Sequence, residues 1–98
     1  MPIAVVLETD ASDNPIEMYD RITHELNGGQ PFTSREHWGG GLISHVAGVT
    51  EDGSGVVVDV WEDRASMERW MERVGPLIER EGFQPRVRVI EETHNVVT

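Results

Sequence analysis

A carboxylate set among valines is the first chemical feature of this chain. In Val56-Val57-Val58-Asp59-Val60-Trp61, Asp59 is the single charged residue of an apolar run and stands two positions from Trp61. In an extended strand alternate residues share a face, so Asp59 lies on the same side as Trp61 and Val57, away from Val58 and Val60. A carboxylate beside a buried ring is partly desolvated, an environment suited to proton transfer. The plainer alternatives are neutralisation by an arginine such as Arg88, or a place at a wet rim. His45 is the second candidate, because an imidazole exchanges protons near neutrality. A two- or four-residue turn would set it opposite Val60, on the face away from Trp61, whereas a bulge or a three-residue loop would reverse that. The expected place of His45 is therefore a subunit interface, with a general-base role if the register turns it inward.

Around these two, a candidate pocket wall can be named. Tyr19 and Ile22 share a helix face, and a tyrosine hydroxyl there can bind a carbonyl or phenol oxygen. Trp61 is either cavity wall or core packing. Met71 belongs to the apolar stripe of a second helix, and His37 and Trp38 sit in a glycine-rich connection, the kind of segment from which lids are made. The four histidines, at 24, 37, 45 and 94, form no HxH, HxxxH or HExxH pattern, so no metal site is expected. No GxGxxG or Walker pattern follows a strand, and no nucleotide is expected either.

The elements that must position these residues follow from periodicity. Ile3 to Glu8 reads as a buried strand. Asn14-Pro15-Ile16-Glu17 combines a capping residue, a proline at the first helical position and a glutamate three residues after the cap, predicting a helix over about residues 15–27 that stops at Gly28-Gly29. Residues 28–41 form a lid or a short irregular helix. Leu42 to Val49 and Gly55 to Trp61 are strands paired antiparallel across a turn with an Asp-Gly signal. Asp63 caps a second helix, which Gly75-Pro76 should kink or split, and Arg86 to Ile90 is a last strand. The order strand, helix, strand, strand, helix, strand is the split βαβ, ferredoxin-like α+β arrangement: one four-stranded antiparallel sheet with both helices on one face.

Size and charge narrow the partners. At 98 residues the chain is expected to form a single domain, over residues 1–98, with a core too small to be comfortable alone. The uncovered sheet face carries Val56, Val58 and Val60, so a second copy packed sheet to sheet, a homodimer, is expected to complete it. A net charge of −10 argues against nucleic acid and anionic membrane and for a neutral, hydrophobic small molecule. With no cysteine, no basic segment ahead of its first apolar run and no long apolar stretch, the chain is expected to be cytoplasmic.

The passage Val56-Val57-Val58-Asp59-Val60-Trp61-Glu62-Asp63-Arg64-Ala65-Ser66-Met67, preceded by Ser44-His45-Val46-Ala47-Gly48 and a short acidic turn, resembles the dimeric α/β-barrel superfamily, and within it the antibiotic biosynthesis monooxygenase-like proteins. The resemblance implies two ferredoxin-like subunits forming a barrel, each with a pocket between sheet and helices, and a C-terminal segment, here His94-Asn95, reaching the other subunit. It also implies a pocket tryptophan at Trp61. Haem-degrading relatives would carry an axial histidine on the second helix; this chain has none there, so no cofactor is expected. The activity implied is cofactor-independent oxygenation of an aromatic or polyketide-like molecule, with Asp59 or His45 as base and Tyr19, Ile22, His37, Trp38, Trp61 and Met71 binding substrate. A cyclase or isomerase using the same base, and a non-catalytic binding or structural dimer, are the alternatives.

Overall fold

The computed structural model describes residues 1–82 and 84–98, Asp13 by its backbone alone. Strand β1 (Ile3–Glu8) leads through a 3-10 turn to helix α1 (Pro15–Leu26); a second 3-10 turn (Arg35–Trp38) precedes β2 (Leu42–Val49), β3 (Gly55–Trp61), α2 (Arg64–Arg80) and β4 (Arg86–Ile90). The four strands form one antiparallel sheet in the order β2-β3-β1-β4, with β3 and β1 in the middle. This is the ferredoxin-like α+β fold.

Pleat parity decides what each face does. Ile3, Val5, Asp59, Trp61 and Leu42 share the inner face, and the first two pair with Trp61 and Asp59 across β1 and β3. The core forms where that face meets Met18 and Ile22 of α1 and Met67, Trp70 and Val74 of α2, so both helices cover the same side. On the outer face lie Ala4, Val6, Val46, Val58, Val60 and Ile90, with Val46 at 64% and Ile90 at 48% exposure. Arg88 pairs with Val6 and is also outside, so it does not neutralise Asp59.

One helix expectation is corrected, and of another, the kink or split at Gly75-Pro76, the split is excluded. Asn14 does not cap α1 through its side chain: it takes a left-handed conformation (φ 49°, ψ 62°), which asparagine tolerates better than most residues, and its side chain makes no capping bond. Pro15 still opens the helix and Glu17 lies in its first turn. In α2, Asp63 does cap, its Oδ1 accepting from the Ser66 backbone N–H at 2.8 Å. Gly75-Pro76 does not split that helix, which is continuous to Arg80. Apolar anchors on both sides of the proline, Trp70 and Val74 before it and Leu77 and Ile78 after it, hold the two halves to one core.

Candidate active site

The register of the β2–β3 hairpin builds the site. Thr50 N–H donates to Ser54 O at 2.8 Å and Gly53 N–H to Thr50 O at 3.0 Å, enclosing the three residues Glu51, Asp52 and Gly53, the last with φ +89°. A three-residue loop ending on a left-handed glycine sets His45 directly opposite Asp59. The placement of His45 on the outer face is thereby overturned: it points inward, toward the helices.

Three side chains join there. Asp59 Oδ1 lies 2.5 Å from His45 Nδ1, and His45 Nε2 lies 2.7 Å from Tyr19 Oη. Asp59 is 2% exposed and the His45 side chain 14%, so neither is at a wet rim. An ionised carboxylate only accepts, so with Asp59 ionised His45 Nδ1–H donates to it, and an unprotonated Nε2 would accept from the Tyr19 hydroxyl. Burial, together with the negative charges of Asp59 and then Asp20, pushes the Tyr19 pKa up to about 12. Tyr19 is therefore a neutral hydroxyl throughout the physiological range.

The indole of Trp38 covers the imidazole, with ring centroids 4.3 Å apart, while Tyr19 stacks on it at 5.9 Å. Trp38 is 6% exposed and its loop is tied to α2: Arg73 Nη1 donates to the His37 carbonyl at 2.8 Å, with the guanidinium over the Trp70 ring. Trp38 is thus packed over the pocket, on a loop anchored to α2.

Tyr19, Ile22, Trp38, His45 and Asp59 all line one cavity of about 390 Å³ between sheet and helices. That volume lies within the usual range for small-molecule sites. Its other walls are almost wholly apolar, among them Leu7, Met18, Val57, Trp70, Val74 and Ile78. Three sequence candidates fall elsewhere. Trp61, fully buried, packs toward Trp70 with centroids 6.4 Å apart and is not part of the wall. Met71 packs against the core outside the cavity. His37 serves its own loop, Nδ1 accepting from the Thr33 N–H at 3.0 Å and the ring stacking on Phe32. Trp70, Val74 and Ile78 were not singled out as pocket residues, because in sequence they are indistinguishable from the core stripe of α2. Among the described residues no group of three or more His, Asp and Glu side chains gathers as a metal-ligand set, and no helix is long and apolar enough to cross a membrane.

No protein-family model and no curated protein sequence matches the chain. Solved structures do. A protein from Deinococcus radiodurans provisionally named an antibiotic biosynthesis monooxygenase superposes with a TM-score of 0.66 at 9% identity, over 100% of this chain and 98% of that one. Another of the same provisional name, from Caulobacter crescentus, gives 0.60 at 11% identity over 95% and 91%. A conserved protein from Methanosarcina mazei gives 0.65 at 12% identity over 95% and 94%. The chain therefore shares the ferredoxin-like fold of these solved structures.

Proposed function

We propose that this protein is a cofactor-independent, monooxygenase-like enzyme acting on a small hydrophobic aromatic or polyketide-like molecule. The observation that carries the reading is the buried hydrogen-bond chain from Asp59 through His45 to Tyr19, ending in an apolar cavity. Asp59, His45 and Tyr19 divide the work. Asp59 fixes the imidazole tautomer and balances the charge that forms on it; His45 is the base; Tyr19 passes the proton.

A phenol or enol hydroxyl gives its proton to Tyr19 Oη as the Tyr19 proton moves to His45 Nε2, leaving an imidazolium beside Asp59 and a resonance-stabilised carbanion in the cavity. The carbanion adds dioxygen, forming a C–O bond, and the peroxide recovers the proton from His45 through Tyr19. Cleavage of the O–O bond with loss of the remaining C–H proton releases water and leaves a carbonyl. The substrate carbon supplies the electrons that reduce the second oxygen atom. Cyclisation or isomerisation would use the same proton transfer without oxygen, so oxygen dependence separates the two. Turnover of a hydroxylated anthrone is expected in air, absent under nitrogen, and lost in Asp59→Asn and His45→Ala. Equal turnover under nitrogen sinks the oxygenase reading in favour of the isomerase one, and turnover unaffected by either substitution sinks both.

The outer sheet face supports a homodimer, the arrangement that would bury the exposed Val46 and Ile90 and complete the burial of the partly covered Val58 and Val60, a fully exposed valine being worth roughly 1.5 kcal/mol when covered.

A further inference from the structure

Resting on the acid–base reading above, we propose that the Asp59, His45 and Tyr19 chain makes the cavity select between the hydroxyl and the carbonyl form of one ring system, by reversing the hydrogen bond between His45 and Tyr19 when His45 takes up a proton. The first link is fixed. A carboxylate accepts only, so His45 Nδ1–H donates to Asp59 whether the ring is neutral or charged. The second link has two polarities. While Nε2 is unprotonated, Tyr19 commits its one proton to it across 2.7 Å, and the hydroxyl offers the cavity lone pairs alone. A ligand O–H fits that arrangement. Once Nε2 carries a proton it donates to Tyr19 Oη, the Tyr19 proton turns toward the cavity, and a ligand C=O fits instead.

The groups around His45 allow this reversal. Asp59 faces it from β3, Tyr19 from α1, and the uncharged Trp38 indole covers it; Val5 of β1 stands opposite Asp59, and Asp20 adds negative charge near Tyr19 from α1. Because Tyr19 holds its proton up to about pH 12, the reversal moves a proton's direction and never creates a tyrosinate at neutral pH. A consequence for turnover follows: taking a proton from the substrate hydroxyl converts the site into the form that holds a carbonyl oxygen.

Equilibrium binding under nitrogen tests this apart from oxygen chemistry. Two probes of matched shape, 2-naphthol and 2-tetralone, would be titrated calorimetrically into the protein between about pH 5 and about pH 8, with the His45 imidazole followed by NMR. The ratio of 2-naphthol to 2-tetralone affinity is expected to be about fivefold or more higher where NMR shows the His45 ring neutral than where it shows the ring protonated, since one probe gains a hydrogen bond as the other loses one. In Tyr19→Phe and in His45→Gln the ratio should be flat with pH. A flat ratio in the wild type, the same slope in folded Tyr19→Phe, or binding of neither probe would overturn the proposal. Since no turnover is measured, the oxygenase reading can fail while this selectivity holds, and the reverse.

Discussion

His45 Nδ1 and Asp59 Oδ1, 2.5 Å apart, join the middle of β2 to the middle of β3 on the face that looks toward the helices. They stand fourteen positions apart in sequence, and the three-residue loop between their strands is what brings them level. Buried polar groups of this kind are costly when a partner is removed. Asp59→Ala leaves the His45 N–H without an acceptor and opens a small void, so a loss of about 2 to 3 kcal/mol is expected in denaturant unfolding. Asp59→Asn keeps an acceptor oxygen in place and should cost less than half of that. Equal losses in the two variants would mean the pair contributes packing rather than a hydrogen bond.

Tyr19 makes a separate, alkaline signature. Its folded-state pKa, about 12, stands above the ordinary value of 10.0, so the folded protein binds this proton more tightly than the unfolded chain. The associated stability is complete below about pH 10 and is lost as pH rises toward about pH 12, where the folded-state hydroxyl finally ionises. The hydroxyl is only half-buried, so solvent screening reduces the effect to on the order of 1 kcal/mol. Denaturant unfolding measured across that interval should show the decline in the wild type, with Tyr19→Phe losing that share of the slope. Parallel curves for the two would contradict the raised value.

How far the sequence revealed this arrangement depends on the element. Strands β2 and β3 were legible to the residue because β-branched runs and an Asp-Gly turn leave little choice. The face of His45 was not, because Asp52-Gly53 is compatible with loops of different length, and a change of one residue in register moves every side chain to the opposite face. Hydrogen bonding between Thr50 and Ser54 settles it, an interaction with no periodic signature. Trp61 misled for a related reason: the inner face carries both cavity wall and solid core, and alternation cannot say which end of a strand is hollow. Where α2 comes down, Trp70, Met67 and Val74 fill the space around it.

The outer sheet face gives a prediction about assembly. Val46 is 64% exposed on β2, facing away from both helices, so Val46→Glu removes little from the isolated subunit, within about 0.5 kcal/mol. In a sheet-to-sheet dimer the same change places a charge in an apolar interface. Sedimentation should show the wild type as a dimer and Val46→Glu as a folded monomer at the same concentration. A variant that stays dimeric would exclude this face as the contact.

Gly53 is the position where backbone conformation reaches the chemistry. Its φ of +89° is required for the loop that holds His45 opposite Asp59, and a Cβ there would come 3.1 Å from the Ala11 Cβ. A β-branched residue resists that conformation at a cost of about 1 to 3 kcal/mol. Gly53→Val is therefore expected to lower stability by that amount, through the loop rather than through any core contact. Its second effect is more telling. Strain in the loop favours neighbouring registers, and a shift of one residue would carry His45 to the outer face, away from Asp59 and Tyr19. The His45 Nδ1 proton, held in a short bond to a buried carboxylate, should give a downfield NMR resonance in the wild type that weakens or disappears in Gly53→Val. An undisturbed resonance in a destabilised variant would show that β2 keeps its register by side-chain packing, independently of the turn.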